Sequence, residues 1–136
     1  MKSQHHFLPQ KSGLTLLEMT IVILVLLALI GLGLVSSRMM DNWKLGREAS
    51  ETLRVVHSAQ RMFLADNPTR PVAEIVPEDI IPYLPNGAAT MPTVKSLTGT
   101  TLNIIVSRTP PAVDAGAGTV YDPSGSETDS LWDVGE

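Results

Sequence analysis

Residues 14–35 read Leu-Thr-Leu-Leu-Glu-Met-Thr-Ile-Val-Ile-Leu-Val-Leu-Leu-Ala-Leu-Ile-Gly-Leu-Gly-Leu-Val, 22 residues with one charged side chain, Glu18. As a helix rising about 1.5 Å per residue, the stretch is roughly 33 Å long, close to the ~30 Å hydrocarbon core of a bilayer. A soluble domain within 136 residues does not carry so long an apolar run. The run is therefore expected to be a single membrane-spanning helix near the N-terminus. Glu18 is the anomaly in it. A carboxylate central in a bilayer costs about 2.5–3.5 kcal/mol on insertion scales, and less near the end of the span. It is either a boundary residue reaching headgroups or a carboxylate kept for a cationic partner.

The chain around this run holds 10 basic and 14 acidic side chains, for a formal net charge of −4. The distribution says more than the total. Lys2 and Lys11 precede the apolar run, and after Arg108 only acids follow: Asp114, Asp122, Glu127, Asp129, Asp133 and Glu136. Positive charge before the helix places the N-terminus on the cytoplasmic side and the rest of the chain across the membrane. No basic stripe of the kind that tracks nucleic acid is present. There is no cysteine, so disulfides and thiolate metal sites are excluded. A small domain of this kind is held by packing, a bound ion or neighbouring subunits.

Residues 1–13 are polar and basic and end in Gly13, ahead of the apolar run. An ordinary secretory signal has its small-residue cleavage site after the apolar stretch. Here none of the usual form follows it; Ser36-Ser37 is the nearest. His5 and His6 in this leader are read as incidental and not as metal ligands.

The segment Lys11-Ser12-Gly13-Leu14-Thr15-Leu16-Leu17-Glu18 resembles the class III signal of type IV pilins and type II secretion pseudopilins, and the chain is most like a major pseudopilin. Gly, the apolar start, Glu and the apolar run all fall at the family's spacing. Leu14 stands where the family most often has Phe, and Ser12 lies between Lys11 and Gly13. The resemblance implies that a prepilin peptidase cuts after Gly13 and methylates the new amine of Leu14. It also implies that Glu18 meets the N-terminal amine of a neighbouring copy in a helical filament. The expected partners are copies of the same chain, the prepilin peptidase, an inner-membrane assembly platform and minor pseudopilins, with no nucleic acid. The implied function is a structural subunit of a secretion pseudopilus or related filament, single-pass in the inner membrane before assembly, and not an enzyme. A pilin of a DNA-uptake or adhesion filament, and a signal-anchored periplasmic adaptor that never polymerises, are the alternatives. Removing residues 1–13 leaves 8 basic side chains against 14 acidic.

Beyond Val35 the pattern turns amphipathic. Leu45, Ala49, Leu53, Val56, Ala59 and Phe63 recur every three or four residues, the signature of a helix with one buried face. Arg38, Asp41, Lys44, Arg47, Glu48, Glu51, Arg54 and Arg61 fill the other faces, as a solvated surface or as contacts between packed subunits. Arg47 with Glu51, and Glu51 with Arg54, stand at helical neighbour spacing. Asn67-Pro68 ends the pattern, because proline cannot continue a helix and restricts the residue before it. A helix over 14–66 is expected, with residues 14–35 for membrane and assembly and 36–66 as the amphipathic continuation. Gly31 and Gly33 weaken it by about 1 kcal/mol each relative to Ala. They mark either close packing between helices or a point where the helix can melt.

Residues 67–136 are expected to form a small α+β domain: a short helix at about 77–83 and an antiparallel sheet against the long helix, a pilin-like layout. Strands are expected at 93–97, 101–107, 118–121 and 131–134, with Thr98-Gly99-Thr100 closing a hairpin. No catalytic constellation stands out; His57 has no nucleophile at motif spacing. The segment 122–133 offers hard oxygen ligands that can suit Ca²⁺. Its spacing is not that of an EF-hand loop, and a solvated acidic tail is the expectation ahead of calcium, with no cofactor required. Trp132 is expected to anchor that tail to the core or to a neighbour.

Overall fold

The structure, a computed structural model, describes residues 15–135. It is an α+β chain with one long N-terminal helix and small antiparallel sheets. The long helix α1 runs Leu16–Asp66, 51 residues, and stops one residue before Asn67-Pro68 as the proline requires. By contact density the chain divides into two compact units, Met1–Arg38 and Met39–Glu136.

In the first unit every described residue is exposed. Its helix passes through Gly31 and Gly33 without a break, and a Cβ at either glycine would meet nothing within 4 Å. The hydroxyls in the apolar stretch bond back to their own helix. Thr20 Oγ1 donates to the Leu16 carbonyl at 2.8 Å and Ser37 Oγ to the Gly33 carbonyl at 3.2 Å. Such back-bonding removes the cost of an unpaired hydroxyl in an apolar surrounding.

The second unit is built on the amphipathic part of α1. Gly46, Ala49, Ser50, Leu53, Val56, Ala59, Gln60 and Phe63 are buried, at the three- and four-residue spacing that places them on one side of the helix. Leu53, Val56, Ile80 and Val113 are wholly enclosed at the centre of the core. The Phe63 and Tyr83 rings meet edge to face, with centroids 5.9 Å apart.

After α1 a 3-10 turn at Val72–Glu74 leads to α2, Pro77–Ile80. Pro77 starts α2, and the Asp79 carboxylate accepts the Val76 N–H at 3.2 Å. The short helix expected over 77–83 is α-helical only to Ile80 and tightens to a 3-10 turn at Ile81–Tyr83. Pro82 has no N–H to continue the α-helical bonding, and it disfavours that conformation at Ile81.

Five short strands follow: β1 Val94–Lys95, β2 Thr101–Leu102, β3 Ile104–Ile105, β4 Ala112–Gly116 and β5 Thr119–Val120. β1 and β2 pair antiparallel, Val94 opposite Leu102, and the turn between them is closed by the Ser96 N–H bonding to the Thr100 carbonyl at 2.8 Å. Gly99 takes φ +82° there, a conformation that glycine adopts without strain. The single strand expected over 101–107 is divided at Asn103, because its two ends serve different partners. β2 pairs with β1, whereas β3 pairs with β4, Ile104 opposite Val113. The sequence reading missed β4, since Ala, Asp and Gly are poor strand formers and two prolines precede it. Its Asp114 caps the turn to β5 by accepting the Gly116 and Gly118 N–H groups at 2.8 and 3.1 Å. The strand expected at 131–134 is absent. Ser130 and Trp132 have φ of 58° and 66°, which breaks extended geometry.

Candidate functional site

Two places carry chemistry: the start of α1 and the C-terminal tail. Gly13 and Leu14, the residues expected at the cut, lie outside the described residues. Glu18 is exposed in the first turn of α1, and its N–H donates to Thr15 Oγ1 at 3.2 Å. Thr15 is thus the cap, and Thr15-x-x-Glu18 has the spacing of a capping box. The start of a helix also favours negative charge. Glu18 therefore has a local reason for its place that the apolar reading overlooked. Its charge suits the first turn of its own helix, and its carboxylate is exposed.

The tail is held to α1 by three side-chain and backbone contacts. The Trp132 backbone N–H donates to the Gly46 carbonyl at 3.1 Å. Arg54 donates from Nε to the Val134 carbonyl at 2.8 Å and from Nη2 to Ser130 Oγ at 2.9 Å. Trp132 is buried and meets Tyr121 edge to face at 5.2 Å. The expectation of Trp132 as the tail's anchor to the core is met within this unit. Gly46 is needed for it, since a Cβ there would lie 2.9 Å from Trp132 Nε1. A second clamp is Gln60, wholly buried, whose Nε2 donates to the Val106 and Arg108 carbonyls at 2.8 and 2.7 Å. Gly46 and Gln60 were not singled out by sequence, and Arg54 was read only as a surface charge at helical spacing from Glu51. Only Gly46 had a readable signal, a glycine inside a helical pattern, which often marks close approach.

The tail acids have distinct surroundings. Asp122 Oδ1 accepts from Ser124 N and Oγ at 3.0 and 2.7 Å, and Asp129 Oδ1 accepts from Leu131 N at 2.9 Å. Asp133 has both carboxylate oxygens buried with no donor in bonding geometry. Burial, then the charges of Asp129 and Asp122, push its acidity above the ordinary aspartate value, while the nearby Gly135 amide works the other way. Among the described residues no three Asp, Glu or His side chains converge as a metal cage. Asp133 differs from the other described tail acids in that both of its unpartnered oxygens are buried, so a cation there would need backbone carbonyls or water to complete its shell.

His57 stands half-buried on α1, and burial together with Arg61 pushes its pKa down. The helical pairs expected between Arg47, Glu51 and Arg54 do not form; among the described residues the ion pair is Arg70–Asp79, at 3.4 Å. Compared with known proteins, the chain matches no family model, no curated protein and no solved structure.

Proposed function

We propose that this chain is a structural subunit of a pilin-like filament, on the pattern of a major pseudopilin of a type II secretion-like system. The carrying observation is the fixed spacing of Gly13, Leu14 and Glu18 at the head of a 22-residue apolar run. In this reading a prepilin peptidase cuts after Gly13 and methylates the Leu14 amine. The subunit waits as a single-pass protein of the inner membrane and is added to a filament of its own copies, at an assembly platform and beside minor pseudopilins. The exposed apolar helix and the α+β unit fit that division of labour.

Glu18 does the selecting. Cleavage creates a cationic amine on Leu14, and two unit charges about 4 Å apart attract by roughly 4 kcal/mol at an effective dielectric near 20. Two apolar helices side by side gain nothing from that charge until both partners leave water together. An unmatched carboxylate between packed helices is strongly disfavoured. The pair therefore chooses the register of assembly. The membrane orientation rests on the leader more than on charge count, since Arg38, Lys44 and Arg47 follow the run closely on its far side.

The test joins N-terminal mass analysis of membrane-extracted protein with filament shearing. The expected result is a mature chain beginning at methylated Leu14. Glu18→Ala should insert and be cut but give few filaments. Glu18→Gln isolates the charge, because it keeps the size and polarity of the side chain and the N–H that Thr15 caps; it should fail like Glu18→Ala. An intact leader on the wild type would instead mark a signal-anchored adaptor. Wild-type filaments from Glu18→Gln would remove the charge pair.

One observation favours a second element, calcium at the tail: Asp133 carries two buried, unpartnered carboxylate oxygens. Ca²⁺ there would offset the cost of ionising Asp133 beside the negative charges of Asp129 and Asp122.

A further inference from the structure

One face of α1 in the second unit has no partner in its own domain. Met40, Trp43, Lys44 and Arg47 stand at i, i+3, i+4 and i+7, so they share one side of the helix. All four are exposed, Met40 to 55% and Trp43 to 52%. The buried stripe that starts at Gly46 and Ala49 looks elsewhere. The Arg47 guanidinium carbon lies 5.7 Å from the Trp43 ring centroid, a cation–π contact. Neither Lys44 nor Arg47 is in an ion pair among the described residues. Asp41 and Glu48 flank the face on the neighbouring column, and Glu51 follows one turn after Arg47.

This chemistry suits a membrane–water boundary. Tryptophan has an apolar ring and a polar N–H, and it concentrates at headgroup level. Lysine and arginine lay apolar stems along such a surface and keep their charges at the phosphates. The position suits it as well. Trp43 follows Val35, the end of the apolar run, by eight residues, and Arg38 stands between them, so the face begins in the stretch where a span gives way to the headgroup layer, which Arg38 can reach by snorkelling. Such a face also explains why cations crowd the far side of the span, where the usual charge bias does not call for them.

Resting on the membrane-spanning reading of the apolar run, we propose that Met40, Trp43, Lys44 and Arg47 form an interfacial face that docks on anionic phospholipid headgroups and sets the depth of the unassembled subunit. Assembly then has to lift this face off the lipid as Glu18 moves into contact with a neighbour.

The experiment reconstitutes the full chain in vesicles of phosphatidylcholine, with or without phosphatidylglycerol, whose acyl chains are brominated near the glycerol. The chain has two tryptophans, and Trp132 is buried, so lipid quenching reports on Trp43. Wild type should float with the vesicles and be quenched, more strongly with phosphatidylglycerol. Trp43→Phe should remove the quenching and leave the Trp132 emission unchanged. Lys44→Glu with Arg47→Glu should cut the docked-to-undocked ratio about fivefold per charge at low salt and abolish the phosphatidylglycerol preference. Floating protein with unquenched Trp43 would overturn the face while leaving the span intact. Trp43 shielded only as the protein-to-lipid ratio rises would make the face a contact between subunits and equally overturn it. Wild type that fails to float would remove the span, and the docking face with it.

Discussion

From Leu16 to Arg38 every residue of α1 is exposed, whereas from Gly46 to Phe63 eight are buried at helical spacing. The first is apolar almost throughout and the second mixes apolar with charged and polar side chains, so both the amount and the pattern of apolarity separate them. The first stretch is apolar on all sides, which in water has no stable solution and calls for lipid or for other copies of itself. The second confines its apolar residues to one stripe and so finds its partner in the same chain. One continuous helix thus carries instructions for two surroundings. It does so by switching from unbroken to periodic apolarity at about Val35.

The contrast is broken most directly by paired truncations. Leu53→Ala should destabilise the folded domain by about 2–5 kcal/mol, since it removes a wholly enclosed side chain and leaves a cavity. Leu24→Ala should change the same melting transition by less than about 0.5 kcal/mol, because Leu24 touches no core. Denaturant unfolding of the two variants in detergent checks this, and equal losses would mean that the stretches are not different in kind. Gln60→Ala is expected next in size, at about 1–3 kcal/mol, because the Val106 and Arg108 carbonyls lose their buried donor. Its signature is faster hydrogen exchange confined to the second unit.

The smallest expected effect is a pH dependence at the tail. Asp133 holds its proton more tightly folded than unfolded. Its contribution is therefore complete below the ordinary aspartate range and is lost as pH rises through its raised value. In the absence of divalent ions the second unit's melting temperature should decline gently across that window, and Asp133→Asn should flatten the decline. If calcium binds, its addition at neutral pH should raise the wild-type melting temperature and leave Asp133→Asn unmoved. A melting temperature indifferent to calcium and chelator would remove the metal from the tail.

Much of this was legible because it depends on periodicity. The buried positions Ala49, Leu53, Val56, Ala59 and Phe63 follow from spacing alone, as does the end of α1 before Pro68. The hairpin at Thr98-Gly99-Thr100 follows from turn chemistry. The candidate site was legible only in part. Glu18 stood out as a charge in an apolar run, yet its place in the first turn of the helix, with its N–H capped by Thr15, was hidden behind that anomaly.

The helix, its change of character along its length, its proline stop and the segregation of acids into the tail are all written in local sequence. These depend on neighbours within a few residues, whose physics is local. Only the tertiary structure decided the rest. β4 exists because Ile104 and Ile105 offer it a ladder, against the preferences of Ala, Asp and Gly. The stretch 131–134 is no strand because Trp132 is drawn to Gly46 and Val134 to Arg54, contacts that span about 80 residues and leave no trace in local composition. Asp133 is enclosed for the same reason: the fold of the tail, and not the identity of the residue, buries both of its carboxylate oxygens.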